Sequence, residues 1–288
     1  MTDHHAPSLT APSPLLPEIF ALHGQWRADR PALVFESEVT TWAALDSAVN
    51  RVANGLIALG LSRGDVVIVA MENERETVEA LLGIARVGCI SAPLNLAISD
   101  TAMAAMIGDA RARAVIATPA QATRIEAMDL SGDIAKIRAG TDGEIPGWLD
   151  YANWLASQEA SAPVVEISPE DGFNIIYSSG TTGEPKGILH THATRLAWAS
   201  DVALALRYHS GAKTLCTLGL YSNISWVMLL CTFLTGGTLH LTRRFEAGAA
   251  LELIGAQGIT HTAMVPLQFQ RLLDHPAMAH TKTASMHA

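Results

Sequence analysis

Apolar and polar positions along the chain change period several times, and those changes predict its elements. From Thr40 to Gly60, the residues Leu45, Ala48, Val49, Val52 and Leu56 recur at helical spacing, with Gly60 as a stop. After the Gly64-Asp65 turn, Val66 to Ala70 is an unbroken apolar run, the pattern of a parallel strand buried on both faces. Thr77 to Val87 is again helical, Cys89 to Pro93 a strand, Ser99 the cap of a helix carrying Met103, Met106 and Ile107, and Ala114 to Ala117 a third strand. Strand and helix in alternation predict a parallel, doubly wound α/β layer.

Between Lys136 and Gly172 the composition turns toward Gly, Pro, Asp and Glu, apart from a helical piece at Trp148 to Ala156. Alternation then resumes. Strands are expected at Phe173 to Tyr177, Gly187 to His190, Lys213 to Thr217, Thr238 to Leu241 and Ile259 to Met264. Helices are expected at His192 to Tyr208, Ile224 to Leu234, Ala247 to Gln257 and Pro266 to Asp274. The division read from this pattern is a disordered tail over 1–14, an N-terminal α/β subdomain over 15–140, a connection over 141–170 and a second α/β subdomain over 171–288.

Composition narrows the function classes. Hydrophobic residues are 49% and charged residues 16% of the 288, enough for a sizeable core. A net charge of −9, from 19 basic and 28 acidic residues, argues against nucleic acid or anionic membrane surfaces as main partners. Cys89, Cys216 and Cys231 are widely spaced within apolar runs and read as reduced, buried thiols of a cytoplasmic protein. No targeting signal is read, and Ile224 to Leu234 is too short to span a bilayer.

The chemistry concentrates in Tyr177-Ser178-Ser179-Gly180-Thr181-Thr182-Gly183-Glu184-Pro185-Lys186-Gly187. Glycines let a backbone close on oxyanions, hydroxyls donate hydrogen bonds and a lysine adds charge, so a loop of this kind between two strands suits a polyphosphate. The pattern G-x-x-x-x-G-K-S/T fails here, because Pro185 precedes Lys186 and Gly187 follows it. An unrelated phosphotransferase or NTPase would also need an acidic Mg²⁺ ligand at a strand end, and none is read. His190 and His192, two apart, can share a face and bind a metal, but no third ligand is suggested nearby, so packing or helix-start roles are expected. Met71-Glu72-Asn73-Glu74 falls at the carboxyl end of a strand and is expected to be structural or solvated.

The run Ser178 to Gly187 resembles the signature loop of the adenylate-forming superfamily, in which acyl-CoA synthetases, aryl-CoA ligases, luciferases and peptide-synthetase adenylation domains are grouped. The similarity extends from about Leu16 to Pro276, including Ala85-Arg86-Val87-Gly88-Cys89 through Pro93-Leu94-Asn95, Phe245 and Val265-Pro266. It implies two doubly wound α/β subdomains of an acyl-CoA synthetase-like large domain, the second incomplete. The implied chemistry is attack of a carboxylate on the α-phosphate of ATP, followed by transfer of the acyl group to coenzyme A. By motif position, Ser178, Ser179, Gly180, Thr181, Thr182, Gly183 and Lys186 would hold the β- and γ-phosphates with Mg²⁺, while Glu184 faces solvent.

The resemblance also marks departures. At Leu218 to Trp226 many relatives read Pro where this chain has Gly219 and His where it has Ser222, so an acid-orienting imidazole is absent; Tyr221 and Ser222 remain as acyl-pocket positions. Trp226, Met228 and Leu229 favour an apolar acid such as a fatty acid. Relatives continue past the equivalent of Pro276 into adenine, ribose and Mg²⁺ contacts and a small domain bearing the adenylation lysine, none of which is found. The expectation is an N-terminal part, nearly inactive alone and marginally soluble through open sheet edges. The alternative is a non-catalytic remnant or one half of a split enzyme, serving as a nucleotide-binding or interaction module.

Overall fold

The computed structural model describes residues 13–128, 130, 133–140, 143–179 and 185–288. Helix α1 (Leu16–Trp26) precedes strands β1 (Pro31–Phe35) and β2 (Glu38–Thr41) and helix α2 (Trp42–Ala58). Then come β3 (Val66–Ala70), α3 (Arg75–Arg86), β4 (Ile90–Pro93), α4 (Asp100–Asp109), β5 (Ala114–Ala117) and α5 (Pro119–Glu126). Short strands β6 (Ala135–Arg138) and β7 (Leu149–Asp150) lead to α6 (Tyr151–Ala156). The hairpin β8 (Gly172–Ser179) and β9 (Pro185–Thr191) is followed by α7 (His192–Ala205), β10 (Lys213–Cys216), α8 (Asn223–Thr235) and β11 (Thr238–Leu241). The chain closes with α9 (Ala247–Gln257), β12 (His261–Thr262), α10 (Pro266–Leu273) and a 3₁₀ turn at Pro276–His280.

Two open sheets result, both mainly parallel. One has seven strands in the order β7-β6-β5-β3-β4-β8-β9, the other five in the order β12-β10-β11-β1-β2. Only β9 in the first and β2 in the second run antiparallel to their neighbours. Pairing crosses the 141–170 stretch in both directions. Leu33 of β1 lies beside Leu239 of β11, and Ser91 of β4 beside Asn174 of β8. The hairpin that bears the hydroxyl-rich loop therefore extends the sheet of β3 to β7. Strands β6 and β7 also prolong that sheet past β5, where the sequence pattern ended it. Their four and two residues, with Lys136, Arg138 and Asp150 among them, are too short and polar to register as an apolar run, and an Arg138–Asp150 ion pair at 2.9 Å joins them.

Period-2 geometry explains the layers. Val67 and Val69 of β3 join a large core with α1, α2, α3 and α8, whereas Ile68 and Ala70 face α4 and α5. The large core also takes Leu239 and Leu241 from the five-stranded sheet, and a third core packs Leu215 against α9 and α10. Helices thus cover both faces of each sheet, an α/β/α/β/α stack with no closed barrel. Gly60, at φ 80°, takes the left-handed conformation just past α2, as its place at the helix stop predicts. At one edge of the five-stranded sheet, Thr262 donates its N–H to the Ala288 carbonyl at 3.0 Å and His287 donates to Thr260 at 2.7 Å, so the last residues lie along β12.

Candidate active site

The loop expected to grip phosphate joins β8 to β9. Its flanks pair in register, Tyr177 with Gly187, Ser178 with Lys186 and Ser179 with Pro185. Facing partners in an antiparallel ladder project from the same side, so Ser178 and Lys186 stand together where the loop leaves the sheet. Gly180, Thr181, Thr182, Gly183 and Glu184 lie outside the described residues. Lys186 is exposed.

Beside this hairpin is a cleft of about 570 Å³ at the carboxyl ends of β4 and β8, where open α/β sheets place ligands. Pro93 ends β4 and Asn95 follows it, Ser99 precedes α4 while Ala102 and Met106 lie on it, and Ile176, Tyr177 and Ser178 come from the end of β8. Tyr221, Ser222 and Asn223 close the remaining side. Three residues named from sequence, Ser178, Tyr221 and Ser222, are therefore brought onto one cavity. The first half of the chain, expected to be scaffold alone, supplies the α4 wall. Ser99 caps α4 as expected, its Oγ accepting from the Ala102 N–H at 3.2 Å. Tyr177 is tied to the same helix, its hydroxyl donating to the Asp109 carboxylate at 2.9 Å; burial, then that carboxylate, holds the phenol well above its ordinary pKa.

The 218–223 wall is held from behind. Asn73, buried just past β3, donates to the carbonyls of Leu218 (2.9 Å) and Thr242 (3.1 Å) and accepts from the Leu220 N–H (3.0 Å). The Ser225 hydroxyl donates to the Gly219 carbonyl at 2.8 Å. A Cβ on residue 219 would lie 2.3 Å from the Tyr221 ring, so glycine is what allows the ring to fold back over the turn. Ser222 Oγ accepts from the Ile224 N–H at the start of α8. Trp226, Met228 and Leu229, on which an apolar acid preference rested, are fully buried in the large core and do not line the cleft. Past its exposed first turn, α8 is buried from Ser225 to Phe233 apart from a half-buried Val227, which is why that stretch is largely apolar.

Behind the cleft is a residue that the sequence reading passed over. Arg195 of α7 is 1% exposed. Its Nε donates to Asn174 Oδ1 and its Nη1 to Asn223 Oδ1, both at 2.9 Å, and its Nη2 reaches His190 Nδ1 at 3.3 Å. The guanidinium lies 5.1 Å from the Trp198 ring centre and 5.5 Å from that of Trp226. No carboxylate is within ion-pair distance among the described residues, and desolvation lowers its pKa to about 10. A signal was present: His192, Arg195, Ala199 and Ala203 form the buried stripe of α7, so a charged residue stands on an apolar face.

The two histidines separate in role. His190 faces Arg195, and burial followed by that charge lowers its pKa. His192 is 0% exposed, packs edge-on against Phe173 at 5.0 Å, and both ring nitrogens lack a partner among the described residues. No group of three or more His, Cys, Asp or Glu able to hold a metal occurs among the described residues. Cys89, Cys216 and Cys231 are free and buried, each thiol pushed up to about 12 by burial.

Burial lowers His192 and His240 to about 4 from 6.5. An imidazole lowered in the fold is protonated more readily in the unfolded chain, so its contribution is intact above 6.5 and lost as pH falls toward 4. Each can remove on the order of 3 kcal/mol across that window. Glu79, raised to about 7 from 4.5 by burial, has the opposite sign and stabilises the fold as pH falls through the same range. The informative quantity is therefore a difference. Urea unfolding at pH 7 and 4.5 should show a smaller acid loss for His192→Phe than for the wild type, and equal losses would contradict the assignment.

The AMP-binding enzyme family profile matches residues 20–287. Long-chain-fatty-acid–CoA ligase FadD13 of Mycobacterium tuberculosis is 28% identical over 236 residues, covering 80% of this chain and 46% of its own. The 4-coumarate–CoA ligase CCL1 of Humulus lupulus is 30% identical over 258 residues, covering 83% and 45%. The chain thus spans just under half the length of these relatives. The fold is shared with the inhibitor-bound N-terminal domain of FACL13 from Mycobacterium tuberculosis, at TM-score 0.85 and 24% identity, covering 95% of this chain and 68% of that one. It is shared also with the anthranilate CoA ligase AuaEII in complex with anthranoyl-AMP, at TM-score 0.85 and 22% identity, covering 95% and 54%. A profile match along nearly the whole chain, over the same α/β stack and with the hydroxyl-rich hairpin at the mouth of the cleft, leads to one conclusion: the chain belongs to the AMP-binding enzyme family.

Proposed function

We propose that this chain carries the triphosphate grip and the acid pocket of an ATP-dependent acid–CoA ligase. In that reaction a carboxylate oxygen attacks the α-phosphorus of ATP, the bond to the β-phosphate oxygen breaks, and acyl-adenylate and pyrophosphate form. The sulfur of coenzyme A then displaces AMP from the acyl carbon. ATP provides the leaving group, so the protein's part is positioning and charge neutralisation. Ser178, Ser179, Gly180, Thr181, Thr182, Gly183 and Lys186 are assigned to the β- and γ-phosphates. Mg²⁺, bound to phosphate oxygens, would neutralise charge that Lys186 meets only in part.

The observation that carries this reading is the convergence of Ser178, at the root of the loop, with Tyr221 and Ser222 on one cleft. A carboxylate seated there lies next to the loop. The apolar body of an acid would rest on Ile98, Ala102, Met106 and Ile176, which supports an apolar or aromatic acid of moderate size. No helix among the described residues is long and apolar enough to cross a membrane. A cytoplasmic location belongs to the same proposal and is supported by the three unpaired thiols.

The test fills the cleft. In calorimetric titrations of the 288-residue chain, decanoate or 4-coumarate should bind, and Ser222→Trp should weaken that acid by at least about tenfold while leaving ATP binding unchanged. Undiminished acid affinity in the variant would place the acid elsewhere.

A further inference from the structure

We infer that Arg195, acting through Asn223, builds a carboxylate-orienting subsite in the cleft, in place of the imidazole that Ser222 does not supply. The inference rests on the proposed ligase reading and adds a positioning residue to it.

A guanidinium excluded from water is costly unless something compensates its charge. Here its hydrogen-bond partners are all neutral: two asparagine oxygens and one imidazole nitrogen. Two indole faces soften the charge without cancelling it. The positive field is therefore available to an anion, and Asn223, which Arg195 holds, lines the cleft.

The chemistry of the contact fixes the direction of the relay. A guanidinium only donates, so Asn223 must turn Oδ1 toward Arg195. Its Nδ2 is then the donor left to the cleft wall, and Asn223 is exposed there. The same residue opens α8, whose 13 residues place the positive end of their aligned dipoles at this point. Asn174 repeats the pattern deeper down: its Oδ1 accepts from Arg195, while its buried Nδ2 has no partner among the described residues. Amide donor, helix end and unneutralised cation all favour a negative group over a neutral one of the same shape. The ligand they select is the ionised carboxylate of the acid.

The test compares each acid with its own carboxamide. Wild-type chain should bind 4-coumarate and decanoate at least about tenfold more tightly than 4-coumaramide and decanamide. Arg195→Met and Asn223→Leu should lower acid affinity about 10- to 100-fold and leave amide affinity nearly unchanged, so the preference disappears. Arg195→Lys, which keeps the charge but not the fork, should retain part of it. Asn223→Leu alters an exposed helix-start position and keeps the test decisive if Arg195→Met does not fold. A merely structural role would weaken acid and amide together, and that result overturns the inference. If both variants keep the wild-type preference, the inference falls while the ligase reading stands. If the wild type binds neither acid nor ATP, the ligase reading falls and takes the inference with it.

Discussion

Replacing Asn73 by alanine is expected to lower the unfolding free energy by about 3–5 kcal/mol, a large effect for one uncharged side chain. The side chain makes three hydrogen bonds while buried, two to the carbonyls of Leu218 and Thr242 and one from the Leu220 N–H. Asn73 follows a strand of the seven-stranded sheet, whereas Leu218 follows β10 and Thr242 follows β11 in the five-stranded sheet. Its loss strands buried backbone groups at the junction of the two sheets, where water cannot replace the partner without opening the core. The same change frees the turn carrying Tyr221 and Ser222. Urea denaturation should therefore show a lower midpoint with an unchanged slope, together with weaker acid binding. A loss below about 1 kcal/mol would mean that the turn is held by Ser225 and the Gly219 packing instead.

The second large effect belongs to the loop. Thr181→Ala, Thr182→Ala and Lys186→Ala combined are expected to weaken ATP binding at least about 1000-fold. Hydrogen bonds to charged groups contribute roughly 1.5–3 kcal/mol each, and the proposed grip sets three of them on one triphosphate. Lys186 is exposed on the edge strand β9, and the two threonines fall in sequence between β8 and β9, so the fold should tolerate the changes. The dissociation constant for ATP, compared at fixed Mg²⁺ and salt, measures the effect. A shift below about tenfold would remove the loop from the nucleotide site.

How much of this was legible in the chain depended on whether a local pattern encoded it. Val66–Ala70 and Ala114–Ala117 were readable because strands buried on both faces must be apolar throughout. Pro31–Phe35 was not, since its identity depends on pairing with β11, some two hundred residues away, and Glu38–Thr41 was not, because it is a strand only as the antiparallel edge partner of β1. Strands β6 and β7 were missed for shortness, and helix α1 has at its N-cap Leu15, whose side chain cannot accept a hydrogen bond, only Glu18 reaching back to the Leu15 N–H at 2.7 Å.

The site divides in the same way. Glycine, hydroxyl and lysine in one loop are a chemical statement that needs no fold to be read. The wall opposite needed three dimensions: Asn95, Ser99 and Met106 come from a half of the chain with no catalytic pattern of its own. Trp226, Met228 and Leu229 misled because an apolar residue near a motif can equally be core, and the middle of α8 is buried in the large core. Arg195 was overlooked for the converse reason. A single arginine in a helix is ordinarily solvated, and only its position on the stripe with His192, Ala199 and Ala203 marked it as buried.

The central claim is that the β8–β9 turn takes the terminal phosphates of ATP, and the measurement that reaches it most directly is a paired titration with ATP and AMP. Wild-type chain should prefer ATP, because only ATP carries the β- and γ-phosphates, and the Thr181, Thr182 and Lys186 triple variant should lose most of that preference. A triple variant that still favours ATP over AMP by the wild-type margin would contradict the account.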